Sequence, residues 1–200
     1  MRKAFGKLKT RLATGIGSTV AVCTAALYTL LSGGPPPAVA QYQAGTPIEA
    51  GQWQVVPQRA WVSRDKKVHG VRLDDGEQAL VLEADLSNRT SASTRDYSEL
   101  LRLRPLPGVA LEKPEVALVR DARVLPLLHP GLGERVVYVW KLPGAAAPPA
   151  RLELDVIAKT FKPVDNLYGT PGWFNPKVVG QVSLPLEAPV DAGGAAEQAS

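Results

Sequence analysis

Between residues 52 and 186 several segments carry apolar side chains at every second position, and that period restricts the fold more than any other feature of the chain. In Leu80-Val81-Leu82-Glu83-Ala84-Asp85-Leu86, one face collects Leu80, Leu82, Ala84 and Leu86, and the other ends in Glu83 and Asp85. Over 136–142, Val136, Tyr138, Trp140 and Leu142 share a face. Over 151–159, Leu152, Leu154, Val156 and Ala158 alternate with Arg151, Glu153, Asp155 and, less neatly, Ile157. Over 178–186, Val178, Val182, Leu184 and Leu186 line up with Gly180 between them. Shorter strands are expected at 99–104 and 115–119. A first strand over 52–63 slips phase at Val56-Pro57, the mark of a bulge or an edge. That makes about seven strands. Asp74-Asp75-Gly76, Pro105-Leu106-Pro107-Gly108, Pro130-Gly131 and Pro143-Gly144 separate them with turn chemistry. No strand is followed by a convincing helical pattern, so an antiparallel sandwich fits better than a parallel α/β sheet.

The rest of the chain has other roles. Of its 23 basic residues, Arg2, Lys3, Lys7, Lys9 and Arg11 fall in the first eleven positions, with no acid before residue 41. The remaining 160 residues hold 18 basic and 19 acidic side chains, a formal −1. The basic pI therefore reflects a terminal flank, and nucleic acid is not an expected partner. Leu12 to Leu31 is an uncharged run of 20 residues, roughly 30 Å as a helix and so of bilayer thickness. Its cationic flank predicts a cytoplasmic N-terminus and an exported C-terminal part. Two fates stay open: a single-pass anchor, or a signal peptide cleaved after Ala38-Val39-Ala40. Cys23, the one cysteine, lies in this run, so a disulfide framework is excluded. The predicted organisation is 1–32 basic flank and transmembrane or signal helix, 33–47 Gly/Pro/Ala-rich spacer, 48–187 β-sandwich, and 188–200 disordered tail.

Two stretches carry a family resemblance. One is a strand ending in Asn-x-Thr, Leu80 to Asn88-Arg89-Thr90. The other is a Pro-Gly turn, Leu128-His129-Pro130-Gly131, entering the aromatic strand Val136-Val137-Tyr138-Val139-Trp140-Lys141-Leu142-Pro143. With them the chain resembles bacterial extracytoplasmic immunoglobulin-like β-sandwich proteins of unassigned function that follow an N-terminal anchor or signal segment. The resemblance implies a fold and a compartment and transfers no active site.

Catalytic patterns are sparse. The chain has neither a Gly-x-Ser-x-Gly elbow nor a phosphate-binding Gly-x4-Gly-Lys-Ser/Thr loop. His69 and His129 stand beside turns with no acid or nucleophile near them in sequence. Asp74-Asp75-Gly76-Glu77 lacks the alternating ligand spacing of a calcium loop and reads as a hairpin tip. Asn88-Arg89-Thr90 is either a glycosylation acceptor or an Asn closing a turn. Arg102, Arg104, Arg120 and Arg123 form a basic strip, best explained by cross-strand pairing.

The loop 163–177 departs most from a plain sandwich. It sets three aromatics among three prolines and two glycines, a composition that holds rings in place. The candidate binding residues are Tyr168, Trp173, Phe174 and Asn175, against the alternative that Trp173 and Phe174 cap the sandwich. The expected fold is an all-β, antiparallel immunoglobulin-like β-sandwich of about seven strands behind one N-terminal transmembrane or signal helix. The expected function is a non-catalytic module, tethered to the membrane by that helix. It would sit outside the cytoplasm, without a cofactor or metal, and bind or support another envelope or membrane protein. Alternatives are a carbohydrate-binding module using the same aromatics, and a secreted or periplasmic protein cleaved after Ala40.

Overall fold

A computed structural model describes residues 38–165 and 169–187. The basic flank, the apolar run with Cys23, spacer residues 33–37, Tyr168 and the tail 188–200 lie outside the described residues. What is described belongs, Ala38 apart, to the compact unit Val39–Ser200. It is all strand and loop. Among the described residues no helix is long and apolar enough to cross a membrane.

The described residues form eleven strands, against about seven expected: β1 (Gln41–Tyr42), β2 (Ile48–Ala50), β3 (Trp53–Ser63), β4 (Lys67–Val68), β5 (Val71–Arg72), β6 (Glu77–Asn88), β7 (Leu101–Leu103), β8 (Glu115–Leu118), β9 (Gly133–Pro143), β10 (Arg151–Lys162) and β11 (Gly172–Glu187). One layer runs β7-β10-β11, with β1 parallel to β11 through Gln41 and Tyr42. The other runs β3-β6-β9-β8, with β2 on β3. The last residues of β11 cross over and pair in parallel with Ala60 and Trp61 of β3. The described residues thus form an all-β sandwich whose layers share one long strand; it departs from the expected antiparallel pattern in two parallel pairings, β1 with β11 and β11 with β3.

Alternation built this core as the period predicts. Leu80, Leu82, Ala84 and Leu86 of β6 meet Val136, Tyr138, Trp140 and Leu142 of β9, and both sets face Leu152, Leu154, Val156 and Ala158 of β10. Each of these side chains buried from water stabilises the fold, at about 25 cal/mol per Å2 of apolar surface. In β3 the slip is a bulge: Pro57 pairs with Ala84 and Arg59 with Glu83, leaving Gln58 extra. β6 lies along one side of the strand, while on the other β2 reaches only Val55 and β11 only Ala60 and Trp61, so the bulge sits on a locally open edge.

Two features depart from simple alternation. Val156 pairs with Gly180 but Ile157 with Val178. Val179 is thus an extra residue, and it packs on the core in place of Val178. The bulge shifts the phase that placed Val178 with Val182. The second departure is a small hairpin, β4–β5, over the outer face of β6 and β9. Val68, Val71 and Leu73 bury Ala79, Val81, Val137 and Val139 beneath them, with Trp61 at the border. Strands of two residues have too short a run to show a period.

Loop residues complete the interior. Tyr97 is buried, with its ring edge-on to Trp53 at 5.5 Å. Its hydroxyl donates to the Pro126 carbonyl at 2.6 Å, and its own carbonyl accepts from the Tyr138 hydroxyl at 2.8 Å. Burial pushes the Tyr97 phenol up to about 12 and the Tyr138 phenol well above its usual range, so both stay protonated donors.

Candidate functional site

The aromatic segment is a hairpin arm more than a loop. Pairing of β10 with β11 extends outward to Lys162 and Gly172, so residues 172–177 of the expected loop are strand. On the far side of β10, β7 pairs only as far as Val156. Beside β11, β1 pairs only at Gln181 and Val182. Beyond those points, apart from the Ile157 N–H donating to the Leu100 carbonyl at 2.8 Å, the described strand pairing of the arm is between β10 and β11 alone.

Irregularity shapes the arm. Ala158 pairs with Lys177 and Thr160 with Phe174, so β11 spends one residue more than β10 over this step. Asn175 sits there at φ 54°, a left-handed conformation that asparagine tolerates better than most residues. Its place in the structure is this bulge, which accounts for Asn175 without a ligand. Such bulges bend and twist a ribbon.

The bend sets out the rings. Phe161 and Trp173 stand directly opposite each other, centroids 5.4 Å apart and planes tilted by 57°. The Trp173 ring leans on the turn between β2 and β3: a Cβ on Gly51 would lie 3.6 Å from it and 2.6 Å from the Lys159 carbonyl oxygen. Trp173 is half-buried as a result, and its outer side is covered by Phe161, which is 50% exposed. The Phe174 ring lies against Gly172, where a Cβ would meet it at 2.6 Å, and the Lys162 ammonium stands 5.8 Å from its centroid. Val164, at the tip, is 62% exposed. Below the rings Lys159 is ion-paired with Asp96, whose other oxygen accepts from Gln52 at 2.7 Å. That pairing ties the root of the arm to the sandwich.

Of the candidate residues, Trp173 and Phe174 are thus gathered in one place and Asn175 shapes their support. Phe161 was missed. It lies two residues past the end expected for its strand, just before Lys162-Pro163, and the period alone gave no sign that pairing continues there.

The other groups singled out in the sequence serve the fold. Asn88 is buried. Its amide donates to the Ala92 and Leu128 carbonyls at 2.9 and 3.0 Å, and its oxygen accepts from the Thr90 N–H and hydroxyl. It closes a turn, and in the folded chain its nitrogen is out of reach of glycosylation. At the tip Asp74 to Glu77, the Glu77 carboxylate accepts from the Asp74 N–H at 2.8 Å. The His129 ring meets the Ser93 hydroxyl at 2.8 Å, and His69 takes φ 44° in the β4–β5 turn. The arginine strip pairs across strands: Arg104 with Glu153 at 3.0 Å, Arg102 with Asp155 at 3.8 Å and Arg120 with Glu134 at 3.2 Å. On the outer face of β6, Glu83 is held by Arg59 and Arg135 at 2.9 and 3.4 Å. Arg135 also grips Asp85 at 2.7 Å, and this hydrogen bond, with a second from Gln58, holds the Asp85 carboxyl below its usual range against the opposing effect of burial.

No family model matches the chain, and no curated protein matches it. Among solved structures it is similar to a Clostridium difficile protein described as an uncharacterized beta-sandwich protein, at 8% identity and a TM-score of 0.47, over 77% of this chain and 98% of that one. Nothing about activity is carried over from that likeness.

Proposed function

We propose that the chain is a non-catalytic, membrane-tethered module of immunoglobulin-like type, held outside the cytoplasm, whose aromatic arm docks another protein of the envelope. The tether reading is supported by the five cations before the uncharged run 12–31. The docking reading is supported by one observation. Phe161 and Trp173 form a tilted pair at the root of a projecting hairpin, with Phe161 half-exposed and Val164 open at the tip. Rings held on a paired ribbon lose little freedom on binding, and aromatics anchor protein interfaces. The 57° tilt offers an edge and a face together. A sugar platform would call for coplanar rings, so the protein partner is favoured over the carbohydrate.

The test is affinity recovery from native membranes with the full-length chain, its Trp173→Ala form and its Phe161→Ser form, each checked by thermal melting. The expected result is loss of the same partner from both variants by at least tenfold, since interface anchors are worth roughly 2 kcal/mol or more. Equal recovery by folded wild type and variants would remove the arm from the interface. N-terminal sequencing, giving Met1 or Gln41, decides between anchor and cleaved signal.

A further inference from the structure

A cavity of about 480 Å3 opens at the other edge of the sandwich, where the chain passes from β7 to β8. That passage, residues 104–114, is a strap with prolines at 105, 107 and 114. Val109 and Leu111 of the strap pack on the core. They form one wall of the cavity, while Leu103, Ile157 and Trp140 form its floor. All three floor residues are buried in the fold. The volume lies within the range of small-molecule sites, roughly 300–1,000 Å3.

The floor carries a polar clue. Trp140 is 2% exposed, yet no acceptor among the described residues takes its indole N–H. Trp140 lines the cavity, and its indole N–H is a donor a bound molecule could use. On the rim, Arg102 has a second donor group to offer. Its side chain is 61% exposed, and its ion-pair partner Asp155 stands at 3.8 Å, beyond hydrogen-bond distance. The other rim cation, Lys113, is taken up by Glu99, whose carboxyl that bond holds below its usual range. Glu112, exposed on the strap, also lines the cavity.

We propose that this cavity binds a small apolar carboxylate, its apolar body on Leu103, Ile157 and the Trp140 ring, its carboxylate taken by Arg102 with the indole N–H as a second donor. Arg102 is ion-paired with Asp155 only at 3.8 Å, which leaves its guanidinium donors to an anionic acceptor, and the guanidinium suits a carboxylate in particular. Glu112 opposes that charge and weakens binding without preventing it. The proposal is independent of the docking role of the arm.

The probe is 2-naphthoate, with 2-naphthamide as its uncharged isostere, titrated calorimetrically into the full-length protein in nanodiscs of zwitterionic lipid, with empty nanodiscs as the blank. Saturable binding of naphthoate in excess of the blank is expected. Arg102→Gln should weaken naphthoate roughly tenfold, the scale of a charged hydrogen bond, and leave naphthamide unchanged. Glu112→Gln should tighten naphthoate by about twofold to fivefold, the scale of an exposed charge interaction. Ile157→Trp should abolish binding of both by filling the floor. Val109→Trp does the same from the strap and serves if the floor variant does not fold. No saturable binding at millimolar probe, unchanged binding in a folded pocket-filling variant, or equal loss of acid and amide in Arg102→Gln would each overturn the proposal.

Discussion

Gly51 is where the arm is fastened, and replacing it separates two physical costs. Its φ is +69°, so alanine there meets the steric penalty of left-handed backbone, about 1–2 kcal/mol. The new Cβ would also stand 2.6 Å from the Lys159 carbonyl oxygen. That oxygen belongs to a paired strand and cannot rotate away as a side chain would, so backbone must move. Overpacking of this kind costs about 1–3 kcal/mol. Gly76 provides the control: its φ is +83°, with nothing within 4 Å of an added Cβ. Gly76→Ala meets the first cost alone. Gly51→Ala should therefore be less stable than Gly76→Ala by about 1–3 kcal/mol. In urea denaturation at an m-value near ~2 kcal/mol/M the difference is a midpoint gap of roughly 0.5–1.5 M. Limited proteolysis should find the arm cut faster in Gly51→Ala and unchanged in Gly76→Ala. Coincident midpoints would refute the reasoning, because the arm could then lift from Gly51 at no cost to the fold.

Tyr97→Phe should lower stability by about 1–3 kcal/mol, because the buried Pro126 carbonyl loses its donor; a thermal midpoint equal to wild type would show that the bond is dispensable. The Asp85–Arg135 contact predicts a pH dependence. The folded Asp85 pKa lies below that of the unfolded chain, near ~3.9. The contact's contribution is therefore complete above about pH 4 and is lost as pH falls through the lowered folded value. Arg135→Gln should raise the Asp85 pKa, as read by carboxyl NMR, and its stability deficit against wild type should shrink below about pH 4; a deficit constant from pH 7 to pH 2, as measured by urea midpoints, would assign it to lost packing.

The sandwich was legible wherever a strand is long and regular. Burial of one face of β6, β9 and β10 imposes a period of two that sequence displays directly. Legibility failed where the backbone breaks the period. Val178 was placed a residue out of phase because Val179 is extra, and a bulge has no residue signature as sharp as alternation. The arm was cut short for the same reason: Asn175-Pro176 interrupts the pattern, and the strand continues beyond it to Gly172. Tyr97 shows a different limit. It stands in a polar loop, Thr94-Arg95-Asp96-Tyr97-Ser98, and only tertiary contact with Trp53 makes it core. The partners of Arg102 and Arg104 come from β10, some fifty residues away, where local charge patterns gave no guide. The cavity had no sequence signal, because it is space left between a strap and two sheet edges.

The two candidate sites share one irregular hairpin. Ile157 lies on the cavity floor and Pro176 on its wall. These residues flank the two register shifts of β10 against β11, at Val156/Ile157 and at Ala158/Thr160. A regular ribbon would carry strict alternation through both points. The extra residues in β11 instead bend the ribbon where the other strands of the sandwich end. Past the bend, the residues facing each other are Phe161 and Trp173, which lie outside the two core clusters. Proteins tend to keep bulges where a side chain must be re-aimed. Here the same distortion borders an apolar cavity on one side and projects a ring pair on the other, so the departure from the simplest sandwich is concentrated where both recognition surfaces are proposed.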